Sequence, residues 1–299
     1  MQTSHGSNGA LAADLVMRTP VAMIAPPLAF VGSLLMTAMV NGAEAQVSST
    51  QVARAVVFLH VPSTAAAGSG SQEIGTGFLV EINDRPFLVT ASHVAKLMSS
   101  KASLTLGVEN DTARTIGVAE LTSSAADPNW IVHPVADVAV LPLRLVPAVT
   151  PVFAGRGLPP VVFVSTLEAP PRDRPLTIFG FPLGLGAAFV GPDRKTSAIS
   201  KESKAASGLV TLRRFDTKTP TEFFVLDSPS VGGFSGAPVV ILPAAFSQGA
   251  GIAFSAATLV VGLVHGTASD QTGGKLALVV PSAFITQTLE AAYNARAAK

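Results

Sequence analysis

From Ala53 onward the chain is cut into short apolar or β-branched runs by clusters of turn-forming residues, a spacing that leaves little room for helices. In the first half the runs cover 53–61, 75–82, 87–90, 103–108, 115–121, 130–133 and 138–143. A second set covers 161–166, 176–181, 208–213, 222–226, 237–242, 257–265 and 275–280. Between the sets, residues 145–160 shift to Pro, Gly and Ala and read as a surface linker. Many short strands with regular turns favour an all-β barrel or sandwich over alternating βαβ units. Asn83-Asp84-Arg85-Pro86 signals a hairpin, while 62–71 and 184–207 read as loops, the second long and mobile. After Pro281, Ser282 is placed to cap a helix with Phe284, Ile285, Leu289, Ala292 and Tyr293 at helical spacing.

Composition narrows the class. Hydrophobic residues make up 48% and charged residues 13%, which argues for a large buried core and against disorder. There is no cysteine, so neither a disulfide nor a thiolate metal site can form. A net charge of +1 supplies no basic field for nucleic acid, and Arg194, Lys195, Lys201 and Lys204 read as a solvated loop. Near the start, Arg18 precedes an apolar run centred on 28–40, followed by Ala43-Glu44-Ala45 before Gln46. This is the pattern of an export signal over residues 1–45 cut after Ala45, giving a secreted or periplasmic protein. A membrane span over 21–40 is the competing reading, but Pro26-Pro27 interrupts it and no stable span is expected after cleavage. Met17 is the expected initiator, which mass spectrometry of the precursor's first peptides would test.

Three separated segments carry the chemistry. In GGFSGAPVV at 232–240, Ser235 sits between glycines on a turn that runs into an apolar strand. An isolated hydroxyl is a poor nucleophile at neutral pH and needs a base, which needs an orienting group. His93 in FLVTASHV and Asp137 in HPVADVAVLPL are candidates for these roles, with Ser235 as the nucleophile. Gly232 and Gly233 permit positive φ, so the N–H groups of Gly233 and Ser235 can converge on an oxyanion. Each segment also has a plainer reading: a tight turn, a histidine packed at a strand end, a solvated turn aspartate.

Taken together, the segments resemble the chymotrypsin-like (trypsin-like) serine peptidases, in particular the disulfide-free bacterial branch that includes HtrA-type protease domains. The likeness runs from about Val52 to the C-terminus. GTGFLVEI resembles the strand pair before the family histidine, DVAVLPL the aspartate strand and GFPLG at 180–184 an element of the second barrel. VVGLVHG at 260–266 resembles the strand beside the specificity pocket, and LALVVPSAFITQTLE the closing strand and helix. The resemblance implies two antiparallel β-barrels, at 46–150 and 151–280, with the active site between them and a C-terminal helix at 281–299. It implies a catalytic triad of His93, Asp137 and Ser235, oxyanion donors at Gly233 and Ser235, and peptide or protein substrates. Val264, His265 and Gly266 fall on the pocket wall, although VVGLVHG aligns ambiguously by one residue. No cofactor or metal is implied, and oligomeric state is left open.

The departures are informative too. Phe234 stands where most members carry Asp or Asn, so activation by an ion pair from that position to a freshly cut N-terminus is not expected. Val94 stands where many animal members carry a disulfide cysteine. Pro229, six residues before the nucleophile, provides no carboxylate for a basic substrate side chain, and Asp227 lies eight before it. An α/β-hydrolase fails because Ala237 breaks G-x-S-x-G and no acid lies between Ser235 and His265. A metalloprotease fails because the histidines include no H-E-x-x-H pair. The expectation is an exported serine endopeptidase acting through an acyl-enzyme; a catalytically inactive peptidase-like binding protein is the alternative.

Overall fold

A computed structural model describes residues 47–61, 72–122, 126–187, 195–243, 245–248, 251–254, 257–269, 271 and 273–297. The expected export signal, its expected cleavage after Ala45 and the expected start at Met17 lie outside these residues. The chain from Gln46 to Lys299 forms one compact unit. Among the described residues, no helix is long and apolar enough to cross a membrane.

The first half opens with a short helix, α1 (Ser49–Ala55), where a strand had been expected to begin. Ser48 accepts from the Gln51 N–H while the Gln51 side chain accepts from the Ser48 N–H, a capping box that starts the turn. There follow β1 (Val56–Val61), β2 (Gln72–Ile82), β3 (Arg85–Thr90), α2 (Ser92–Ala95), β4 (Ser103–Gly107), β5 (Ala113–Gly117), α3 (Val118–Thr122), β6 (Ile131–Val132) and β7 (Ala139–Pro142). These strands form one antiparallel sheet in the order β5-β4-β1-β2-β3-β7-β6. The β2–β3 connection is the two-residue turn signalled in the sequence. Asn83 and Asp84 take φ of 49° and 59°, the twist that suits a tight hairpin.

After a turn of helix, α4 (Thr150–Phe153), the second half contributes β8 (Leu176–Gly180), β9 (Ile199–Ser203), β10 (Val210–Arg213), β11 (Pro220–Leu226) and β12 (Pro238–Ile241). A small hairpin, β13 (Ala245–Gln248) with β14 (Gly251–Phe254), precedes β15 (Leu259–Ser269) and β16 (Lys275–Pro281). The second antiparallel sheet has the order β10-β11-β16-β15-β12-β8-β9. Both sheets keep free edges and so stop short of closed barrels. The all-β, two-sheet architecture with a C-terminal helix is otherwise as expected.

Three local departures have physical causes. The 161–166 run makes a short 3₁₀ turn at Pro160–Val162 and a single bridge from Phe163 to Val260, because Pro159 and Pro160 withhold ladder donors. The 115–121 run leaves its sheet at Gly117 and turns into α3. Within the segment read as a mobile loop, Ile199–Ser203 pairs with β8 as an edge strand on which Ser200 and Glu202 face solvent.

The closing helix α5 (Ser282–Ala297) returns to the first sheet, against β6 and β7. Asn83 Nδ2 donates to the Tyr293 hydroxyl at 3.1 Å, and Phe284 packs on the His133 ring. Ser282 begins this helix, yet its buried Oγ makes no hydrogen bond, so the expected side-chain cap is not formed.

Candidate active site

The register of the first sheet brings His93 and Asp137 together. Thr90 of β3 pairs with Ala139 of β7, so His93 just beyond one strand and Asp137 just before the other share the same sheet end. His93 lies in the single turn of α2, and its Nδ1 donates to Asp137 Oδ2 at 2.7 Å. Ser92 Oγ and the His93 N–H donate to Asp137 Oδ1, at 2.7 and 3.0 Å.

Two further donors come from the second half of the chain, and neither was foreseen. Arg214, after β10, reaches Asp137 Oδ1 at 3.1 Å and Ser92 Oγ at 2.5 Å through Nη2. The same guanidinium donates to the carbonyls of Val135 and Ala136 and forks onto both oxygens of Asp216. Lys96 completes this line of charge at the surface, 3.0 Å from Asp216 Oδ2. His265 Nδ1 lies 2.5 Å from Asp137 Oδ2.

Asp137 therefore accepts five hydrogen bonds with no exposed surface. Burial pushes its carboxyl up, but the bonds from His265 and His93 overturn this and hold it far below the ordinary carboxylate range. The loop leading to it is fixed as well. His133 Nδ1 accepts the N–H groups of Val135 and Ala136, leaving Nε2–H to donate to Gln287 Oε1 of α5 at 3.0 Å.

Ser235 is placed by backbone contacts. Its carbonyl accepts from the Thr76 N–H of β2 at 2.9 Å, and Thr76 Oγ1 donates to the Gly233 carbonyl at 2.6 Å. Thr76 is buried and also receives the Phe181 N–H on that hydroxyl at 3.1 Å, joining the nucleophile's turn to both sheets. Gly236 has φ of +85°, and any Cβ there would collide with the Thr76 carbonyl. Phe234 occupies the family's acidic position as a core residue, 2% exposed and lying over Gly180. Its burial contributes about 2 to 3 kcal/mol where an ion pair would otherwise act.

The Ser235 hydroxyl donates to the His265 carbonyl at 3.2 Å and makes no hydrogen bond to the His93 ring. Among the described residues, the N–H groups of Gly233 and Ser235 have no backbone acceptor, the condition an oxyanion site requires.

The pocket-wall expectations fare differently. Val264 is wholly buried, its N–H bonded to the Ala237 carbonyl and its carbonyl to the Gly236 N–H. His265 is 2% exposed and turned toward Asp137, so its ring offers no face to a substrate acid. Gly266 remains partly exposed beneath the Phe215 ring. The one-residue ambiguity in VVGLVHG has a structural origin. Val264 pairs with Val279 and Gly266 with Leu278, leaving His265 as the extra residue of a β-bulge. Asp227, the other acid weighed for specificity, is engaged by Ser203 Oγ and the Lys204 N–H.

His93, Asp137 and His265 place three potential metal-ligand atoms close together. The Phe215 N–H points at His265 Nε2 from 3.3 Å. That donor needs a lone pair on Nε2, which leaves the proton on Nδ1, where a metal would have to bind. The residues fit a hydrogen-bonded triad better than a metal centre.

The sequence family described as trypsin-like peptidase domain matches residues 75–241. No curated protein matches the chain. Among solved structures, the MamO protease domain from Magnetospirillum magneticum (apo form) is 16% identical, with 79% of this chain and 96% of that one covered and a TM-score of 0.48. Human heparin binding protein is 11% identical, with 82% and 93% covered and a TM-score of 0.47. With more than half of its length matched to that family, this chain belongs to the trypsin-like peptidases.

Proposed function

We propose that the protein is a serine endopeptidase using Ser235 as nucleophile, His93 as general base and Asp137 as the group that orients His93. The observation that carries this reading is the 2.7 Å bond from His93 Nδ1 to Asp137 Oδ2. It leaves Nε2 of a partly exposed ring as the free proton acceptor beside the Ser235 turn. Ser235 Oγ leaves the His265 carbonyl, attacks an amide carbonyl and passes its proton to His93 Nε2. His93 returns that proton to the departing amine as the C–N bond breaks. Water then attacks the ester with His93 again as base, releasing the acid and restoring the hydroxyl. The N–H groups of Gly233 and Ser235 stabilise the oxyanion in both halves.

Activity should fall once His93 is protonated, because an imidazolium cannot take the Ser235 proton. The decisive experiment incubates the purified protein with a serine-directed phosphonate and, separately, with casein. Covalent uptake and cleavage are expected, and both vanish in Ser235→Ala. A folded wild-type protein that takes no label is instead a peptidase-like binding protein.

Export completes the proposal. Arg18, the apolar 28–40 core and Ala43-Glu44-Ala45 support removal of the leading segment after Ala45. Edman sequencing of secreted material starting at Gln46 is the expected result; retention of the segment on the mature protein would refute it.

A further inference from the structure

Resting on that peptidase reading, we infer that His265 is a positioning residue, a neutral imidazole that shares Asp137 with His93 and holds the resting Ser235 hydroxyl through its backbone carbonyl. The bulge in β15 makes this double engagement possible. An in-register residue would point along the alternation of the strand, whereas the extra residue turns its ring toward the first sheet.

The ring is fixed on every side. Phe215 stacks on it at 4.8 Å and 20°, Phe223 lies at 5.1 Å, and the His93 ring meets it edge-on at 5.6 Å. Its tautomer follows from its partners. Phe215 N–H can only donate, so Nε2 holds a lone pair and Nδ1–H donates to Asp137 Oδ2.

Its neutrality rests on the Phe215 N–H, which a protonated Nε2 could not accept. Asp137 and Asp216 face Arg214 and Lys96, a balanced set before His93 gains a proton. A second imidazolium beside the one that forms on His93 would oppose proton transfer from Ser235.

Sharing has a directional consequence. Two donors on Oδ2 divide its negative charge, so His265 moderates the pull of Asp137 on a protonated His93. Removing the donor while keeping the ring should therefore move the acid limb of kcat/KM to higher pH, whereas a purely structural role would leave the limb in place.

The test compares His265→Phe with His265→Asn, whose amide N–H can occupy the position of Nδ1. In His265→Phe the acid limb is expected to rise on the order of one pH unit. The plateau is expected to fall roughly tenfold, the scale of one interaction near 1.4 kcal/mol. His265→Asn should return the limb toward wild type. Equal limbs in all three proteins, or equal displacement in both variants, overturns the inference.

Side-chain ¹⁵N NMR of the wild-type protein needs neither turnover nor a folded variant. A proton on Nδ1 and a bare Nε2 at residue 265 across the active pH range is expected. The opposite tautomer, or a cation, overturns the inference. Phosphonate uptake tests the peptidase reading separately, so the two failures are distinguishable.

Discussion

Asp137 accepts five hydrogen bonds and has no exposed surface, whereas the Ser235 hydroxyl makes one bond of 3.2 Å on a turn held through its backbone. The difference follows from what each group must do. In the proposed reaction Asp137 would keep its charge and place throughout, and a buried polar network with every acceptor site used suits that. In the proposed reaction Ser235 would swing from the His265 carbonyl to His93, a movement that a turn held through its backbone leaves to the side chain. His93 and Asp137 lie at the first sheet and Ser235 at the second; Arg214 and Thr76 each tie one side to the other.

The contrast can be broken most severely at the acid. Asp137→Asn replaces a carboxylate with an amide that cannot accept from both sides, so kcat should fall about 10⁴-fold, the scale of the orienting acid in such triads. Steady-state kinetics with the fold verified by circular dichroism would check this, and a loss under tenfold would mean His93 is oriented by other groups. Arg214→Met leaves the buried Asp137 without its guanidinium and Asp216 with Lys96 alone, and urea unfolding should show a loss of about 3 to 5 kcal/mol.

A milder perturbation acts on the nucleophile's side. Thr76→Val keeps the shape but strips a donor from the Gly233 carbonyl and an acceptor from the Phe181 N–H. The expected cost is about 1 to 3 kcal/mol, with slower phosphonate uptake by Ser235. Unchanged uptake would show that the backbone bonds alone suffice.

The smallest effect lies outside the site, at His60. Burial holds its imidazole down to about 4 from the ordinary 6.5. The unfolded chain therefore binds a proton that the folded one refuses between those values. Stability is full above about 6.5 and declines as pH falls toward about 4, by on the order of 1 kcal/mol after allowance for screening. His60→Gln should flatten that slope in denaturation measured across the window.

The sequence made the strand runs and triad residue types legible because each is a local signal: alternation, a turn dipeptide, a serine framed by glycines. Arg214 was not legible, since its bond to Asp137 spans 77 residues and TLRRFDTKT has no pattern that points there. Ser92 carries no signal of its own in FLVTASHV, and its role exists only once Asp137 and Arg214 flank it. His265 was misplaced by a bulge, which follows from strand pairing and leaves no mark in VVGLVHG. Ile199–Ser203 escaped because an edge strand needs no apolar face to pair.

The end of the chain props up its chemistry from a distance. Gln287 braces His133, and His133 in turn grips the peptide groups immediately before Asp137. Trimming the last sixteen-odd residues to make a tidier protein would thus remove the bracket beneath the acid, and the damage would surface as a wandering His93, far from the cut.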